Sequence, residues 1–425
     1  MSKQNGTSRR NFLTTSSVGL AAGVAIPGPR PVNPTVRVGL VGCGGRGTGC
    51  VRAILEGREQ VELTAMGDIR QDAIDFRLNA LRKYKTRDKK PLPGVTVKPE
   101  NCFVGFDAYK RVIDSDIDIV LLVTPPYARP IHFEYAVKAG RHVFLEKPCA
   151  TDPDGIQRML ALEDEVNRKG LAVIDGFERR RNLPDIECLR RIRDGHIGDV
   201  VSAHAYYNTG DIWYRERKAG MTEAEFWFNN WYHVDWMSGD HMVEQHVHDL
   251  DVINWVFDET PSKAYGMGGR QFHTERGGNI YDHFSVEYEY PSGRRMTSMA
   301  RQIQQTDGRT GEHIIGTKGQ AHMTFNAGAE IIGANPWSSD RKGAGHQFEA
   351  NEIVDSIREN RRTNKLRHIC ESTMTAIMGR EAAYTGKVIT WDEIMKSRMK
   401  LVPDDLENWD GSLRPVHKPG MPRNL

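Results

Sequence analysis

The stretch from Val36 to Gly47, VRVGLVGCGGRG, constrains this chain more than any other. A short apolar run, Val36 to Val41, leads into Gly42-Cys43-Gly44-Gly45-Arg46-Gly47, and a helix-compatible segment, Thr48 to Gly57, follows. Three glycines at this spacing have separate jobs: Gly42 makes a tight turn, Gly44 lets backbone approach a pyrophosphate, and Gly47 lets helix pack on strand. A glycine loop without chemical importance carries the same letters, so context decides. A second apolar run, Val61 to Met66, ends at Asp68, roughly the twenty residues downstream where a ribose-binding carboxylate is expected.

From 35 to about 177 strand-like and helix-like segments alternate, which predicts a parallel, doubly wound sheet. Val36–Val41, Val61–Met66, Ile117–Val123, His142–Leu145 and Ala172–Gly176 read as strands, with single helices over Gln71–Tyr84, Phe106–Ile113, Ile131–Ala139 and Asp154–Lys169. The charged, proline-bearing stretch 85–101 reads as a loop. Short strands with tight turns then predominate: Val200–Tyr207, Ala264–Gly268, Ile280–Tyr290, Arg295–Gln302, Glu312–Gly316 and Gln320–Phe325. They predict a largely antiparallel open sheet, which commonly packs on a symmetry mate as a homodimer or homotetramer. The expected fold is α/β. It comprises a leader at 1–33, a Rossmann domain at 34–177 and a second α/β domain at 178–345. Helices at 346–396 return to the first domain, and an extended surface tail occupies 397–425.

Composition removes several classes. With 58 basic and 56 acidic residues the net charge is +2, which gives no reason to expect a nucleic-acid partner. The six cysteines, at 43, 50, 102, 149, 188 and 370, form no C-x-x-C pair for zinc or redox work. The first 33 residues read differently from the rest: Ser8-Arg9-Arg10-Asn11-Phe12-Leu13, a mildly apolar run to Ile26, then Pro27, Pro29 and Pro31. This resembles a twin-arginine export signal, too short for a membrane span, with cleavage near Ala25. A disordered basic leader would read the same way. The resemblance implies passage through the twin-arginine machinery to the periplasm, where a bound dinucleotide stays with the protein.

Three constellations can carry chemistry. Glu146-Lys147-Pro148 ends a parallel strand, where open α/β sheets put their ligands, and a lysine there can share in proton transfer. A surface lysine in a turn is the plain alternative. The segment 238–251, SGDHMVEQHVHDLD, begins a run of helical spacing from Met242 to Phe257. On one continuous helix Glu244 and His248 share a face, so a carboxylate can orient an imidazole. His241, Glu244 and His248 could also hold a metal, though the site is taken to be metal-free. Third, Tyr206, Tyr207, Trp213, Tyr214, Phe226, Trp227, Phe228, Trp231, Tyr232 and Trp236 suit either a sugar-binding wall or core beneath a long loop.

With the glycine loop, Glu146-Lys147-Pro148 and Glu244-x-x-x-His248 in this order, the chain resembles the glucose-fructose oxidoreductase / inositol dehydrogenase family (Gfo/Idh/MocA) from Val36 to about Lys396. The resemblance implies an NAD(P)-dependent oxidoreductase acting on a sugar or cyclitol hydroxyl. It implies that Lys147 meets the reacting hydroxyl, after a Lys147-Pro148 bond that is cis in relatives, and that His248, with Glu244, is its acid-base partner. Gly42, Gly44, Gly45, Arg46, Gly47, Asp68, Arg70, Thr124, Pro125, Glu146 and Lys147 would contact cofactor. Arg179, Tyr207, Trp231 and His246 would contact substrate. Relatives usually read Asp-x-Gly-x-His, whereas this chain has Glu244-Gln245-His246-Val247-His248. Asp68 favours NAD, while Arg70 could admit the 2'-phosphate of NADP. Two further readings stand beside this one: NAD-dependent glycoside cleavage by transient oxidation and elimination, and a non-catalytic sugar-binding protein.

Overall fold

Six runs of apolar and β-branched residues form one wholly parallel sheet in a computed structural model that describes residues 34–272, 276–325, 327–339 and 343–421. They are β1 (Val36–Val41), β2 (Val61–Asp68), β3 (Cys102–Val104), β4 (Ile119–Leu122), β5 (His142–Leu145) and β6 (Val173–Asp175), in the order β3-β2-β1-β4-β5-β6. Every residue of β4 and β5 is buried, as in strands covered on both faces. The order reverses between β1 and β4, so a crevice opens at their carboxyl ends. The expected leader, 1–33, lies outside the described residues.

The second sheet orders its strands β14-β13-β12-β11-β7-β10-β9-β8-β15. These are β7 (Val200–Thr209), β8 (Lys263–Gly269), β9 (His283–Glu289), β10 (Arg295–Gln302), β11 (Arg309–Gly316), β12 (Gly319–Thr324), β13 (Gly328–Gly333), β14 (Trp337–Ser339) and β15 (Ile389–Thr390). All pairings are antiparallel except β7 with β10. Inward side chains such as Ala205, Phe284, Met296 and Ile314 join an apolar cluster that continues through Met374 and Ile377 to Leu122 and Leu145 of the first sheet. On the outer face Tyr265, Met267 and Met299 stand exposed among the described residues.

Four expectations need correcting. The helix expected over Asp154–Lys169 is two helices, Pro153–Leu160 and Glu163–Lys169. Of the late helices, Gly345–Arg358 packs on Gly45–Gly57 as expected, but Leu366–Thr385 lies against β8, β9 and Pro153–Leu160, so it serves both sheets. The tail is not merely a surface segment. Met399 and Leu401 are buried, Leu401 N–H donates to Asp152 Oδ2 (2.7 Å), and the Trp409 ring stands edge-on to Trp236 and Phe228, at 5.0 and 5.6 Å. Finally, the helix expected over Met242–Phe257 breaks into Asp240–Glu244 and Val247–Phe257.

Candidate active site

The glycine loop leaves β1 as its spacing requires. Gly42 has φ +101°, and a Cβ there would lie 2.6 Å from Thr124 N; one at Gly47 would lie 2.2 Å from the Gly42 carbonyl. Gly44 has nothing within 4 Å, so its backbone faces open space. Asp68, at the end of β2, braces the loop by accepting from Cys43 N–H (2.7 Å) and also accepts from Arg70 N–H (3.1 Å). Burial raises its pKa. The Arg70 guanidinium is held by Asp72 and Asn229, and that of Arg46 by Glu146 and Glu349. Thr124 and Pro125 line the same cleft, of about 2320 Å³. An open Gly44 and two carboxylates at the ribose end suit NAD, while the Arg70 guanidinium is already engaged by Asp72 and Asn229; Arg77 also lines the cleft there.

β5 delivers Glu146 and Lys147 into this cleft, and the Lys147–Pro148 bond is cis. Lys147 Nζ donates to the Glu244 main-chain carbonyl and lies 3.2 Å from Glu244 Oε2. Glu244 Oε2 also accepts from Gln245 Nε2 (2.9 Å), whose Oε1 accepts from Tyr207 OH (3.0 Å). Burial pushes Glu146 upward, but Arg46, Arg129 and Lys147 outweigh it and hold the carboxyl below its usual range. For Glu244 burial wins over Lys147 and raises the pKa.

The helix break follows from the lysine contact. Lys147 takes the Glu244 carbonyl that an unbroken helix would offer to His248 N–H, which turns instead to Gln245 O (3.3 Å). Glu244 and His248 therefore do not form the expected carboxylate-imidazole pair. His248 Nδ1 lies 3.3 Å from Oε2 of Glu178, a residue the sequence reading passed over although it follows β6 as Asp68 ends β2. Burial, reinforced by Lys147, keeps the His248 imidazole neutral, and burial with Glu349 lifts Glu178 to about 7. His241 is buried elsewhere against Phe284, so the alternative His241/Glu244/His248 metal set is not assembled.

Three expected substrate contacts are also relocated. Arg179 is fully buried between Asp185 (2.6 Å) and Glu312 (2.9 Å), a structural ion-pair network. His246 points into the core, its Nδ1 3.1 Å from Asp249 and its Nε2 2.7 Å from Ser298 Oγ. Tyr207 stands behind Gln245 and does not line the cleft. Trp231 does line it, with Trp213 and Phe228, whereas Phe226, Trp227, Tyr232 and Trp236 are buried: the aromatic cluster is part wall and part core. The cleft also takes His346 and the tail residues Asp404 to Leu406, Trp409 and Asp410, which no local pattern announced.

Two profiles of one family match the chain: the "Oxidoreductase family, NAD-binding Rossmann fold" over 36–174 and the "GFO/IDH/MocA C-terminal domain" over 187–322, together more than half of it. A 2,7-anhydro-N-acetylneuraminate hydratase of Escherichia coli strain K12 is 27% identical over 222 residues, 49% of this chain and 52% of that protein. A glycosyl hydrolase family 109 protein of Streptomyces coelicolor is 30% identical over 184 residues, 42% of this chain and 35% of that one. The chain thus spans about half of the first relative and about a third of the second. Among solved structures, scyllo-inositol dehydrogenase of Lactobacillus casei with NAD(H) and scyllo-inositol shares the fold at TM-score 0.63 and 19% identity, over 84% of this chain and 99% of that one.

Proposed function

The chain belongs to the Gfo/Idh/MocA oxidoreductase family, with its NAD-binding Rossmann fold, and on that premise we propose that it oxidises or reduces a hydroxyl of a sugar, cyclitol or sugar derivative. The observation that carries this reading is the meeting of Lys147, at the end of β5, with Glu244 and His248 in the cleft that begins at the glycine loop. Bound NAD supplies the hydride acceptor or donor. Gly42, Gly44, Gly47 and Asp68 hold it. Lys147 Nζ hydrogen-bonds the reacting oxygen and shares its proton, Glu244 holds the lysine, and the neutral His248 accepts a proton. Trp213, Trp231 and Phe228 offer faces to a sugar ring. Incubating purified protein with a sugar and cyclitol panel, and following absorbance of reduced nicotinamide, tests the reading; a protein that binds no dinucleotide overturns it.

A second reading, net glycoside cleavage through transient oxidation, is favoured by the hydratase and glycosyl hydrolase likenesses. Release of an aglycone without net cofactor reduction would select it.

Two further expectations belong to the same proposal. The leader at 1–33 directs export by the twin-arginine route, and the cofactor stays bound through turnover; secretion of a fusion that Arg9→Lys, Arg10→Lys abolishes is the check. The outer face of the second sheet mediates self-association. Tyr265, Met267 and Met299 stand exposed there, with Met299 beside Tyr206 in register. Light scattering should report a dimer or tetramer that Met299→Glu dissociates.

A further inference from the structure

We propose that Glu178, His346 and Glu349 form a divalent-cation site in the wall of the cleft, beside His248. One donor atom from each lies within 4.8 Å of the other two. Glu178 opens the turn Glu178–Arg181 after β6, while His346 and Glu349 lie three residues apart near the start of the helix Gly345–Arg358. That spacing sets both on one helix face. Packing of the helix against the turn then brings the imidazole and its neighbouring carboxylate to Glu178.

A second observation is independent of this clustering. Both carboxylates are buried, and three of their four oxygens, Glu178 Oε1, Glu178 Oε2 and Glu349 Oε2, have no hydrogen-bond partner. The fourth, Glu349 Oε1, accepts from Arg46 and lies 3.0 Å from His346 Nδ1. The nearby cations are engaged: Arg46 with Glu146 and Glu349, Lys147 with Glu244, Arg179 with Asp185 and Glu312. The His248 Nδ1 at 3.3 Å makes no hydrogen bond to Glu178. Buried carboxylate oxygens without donors are costly, and a cation held between the two carboxylates offsets that cost.

Two carboxylates and an imidazole suit Mn²⁺ or Zn²⁺, and three protein donors leave positions open. Glu178 and His346 line the cleft that Lys147 and His248 share, so those positions face it. There the cation can hold a hydroxyl or carbonyl oxygen of the substrate. That consequence rests on the proposed reaction; cation binding does not.

The test uses the full chain, stripped with EDTA and titrated with MnCl₂ without nicotinamide or sugar, bound Mn²⁺ being read by electron paramagnetic resonance. One Mn²⁺ per chain, displaced by Zn²⁺, is expected. His346→Ala, whose half-exposed side chain makes it a mild change for the fold, and Glu349→Gln should each weaken binding roughly 10-fold or more. Thermal melts check that each variant is folded. No bound Mn²⁺ at millimolar concentration, or equal affinity in folded His346→Ala, overturns the proposal. Since the binding is read without turnover, either failure leaves the oxidoreductase reading standing, and a protein that binds Mn²⁺ but no dinucleotide would do the reverse.

Discussion

The ammonium of Lys147 is held twice by one residue, through the main-chain carbonyl of Glu244 and through its carboxylate at 3.2 Å. The lysine thus breaks the helix that carries His248 and is fixed by the broken end. Lys147→Ala should lower kcat by roughly 10²–10⁴-fold, the usual share of a proton-transfer group, with NAD affinity changed only a few-fold. Glu244→Gln, which keeps the carbonyl contact, should cost about tenfold. Steady-state kinetics beside NAD titration separate these outcomes, and equal kcat in Lys147→Ala would remove the lysine from the chemistry.

Cofactor choice turns on Arg70, whose guanidinium lies against Asp72 and Asn229. Asp68→Ala should weaken NAD binding by about 10–100-fold, since it removes a ribose partner and the brace on Cys43 N–H. Asp68→Ser with Asp72→Ala frees Arg70 for a 2'-phosphate and should turn the preference toward NADP. Calorimetric titration of both dinucleotides against the three proteins measures it.

What could be read from the sequence was chemistry confined to one segment. The glycine loop, Asp68 and Glu146-Lys147 each sit at the end of a strand, so local pattern located them, and β5 and β10 match their expected spans residue for residue. What escaped was decided by distant partners. Met242–Phe257 keeps helical spacing throughout, yet a lysine from β5 interrupts it. Arg179 stands where a substrate arginine is expected, but Glu312 on β11 draws it into the core. Glu178 and His346 join only when the late helix docks. The short β3, β14 and β15 carry too few residues to show a period.

Buried histidines set the acid limit of stability. Burial, with His246 adding to it, pushes His241 down to about 3; burial pushes His132 to about 3 and His142 to about 4. An unfolded histidine protonates near pH 6.5 while these stay neutral, so their stability is complete above that pH and is lost as pH falls toward 3 to 4. Each group contributes up to about 1.4 kcal/mol per pH unit in that window. Both His241 ring nitrogens lack partners. His241→Leu should therefore raise stability at neutral pH by about 1–2 kcal/mol and make the fall below pH 6.5 shallower. Denaturant melts from pH 7.5 to 4 read both effects, and parallel curves for the two proteins would contradict the second.

The tail closes the cleft with one aromatic anchor. Trp409 stands edge-on to Trp236 and Phe228, and a Cβ on Gly411 would lie 2.5 Å from Ala224 N, so this segment is pressed onto the helix Glu223–Asn229. That helix and Asp404 to Leu406, Trp409 and Asp410 line the cleft together. Trp409→Ala removes an aromatic contact worth a few kcal/mol, about 2 given its partial exposure. The wall it anchors should then open, and NAD should leave roughly ten times faster. Truncation after Val402 should release it faster still, whereas Asp410→Asn, which keeps the anchor, should match the wild type. Stopped-flow chase of bound NADH fluorescence decides between them: equal release from all four proteins would mean the tail covers the aromatic core without retaining the cofactor.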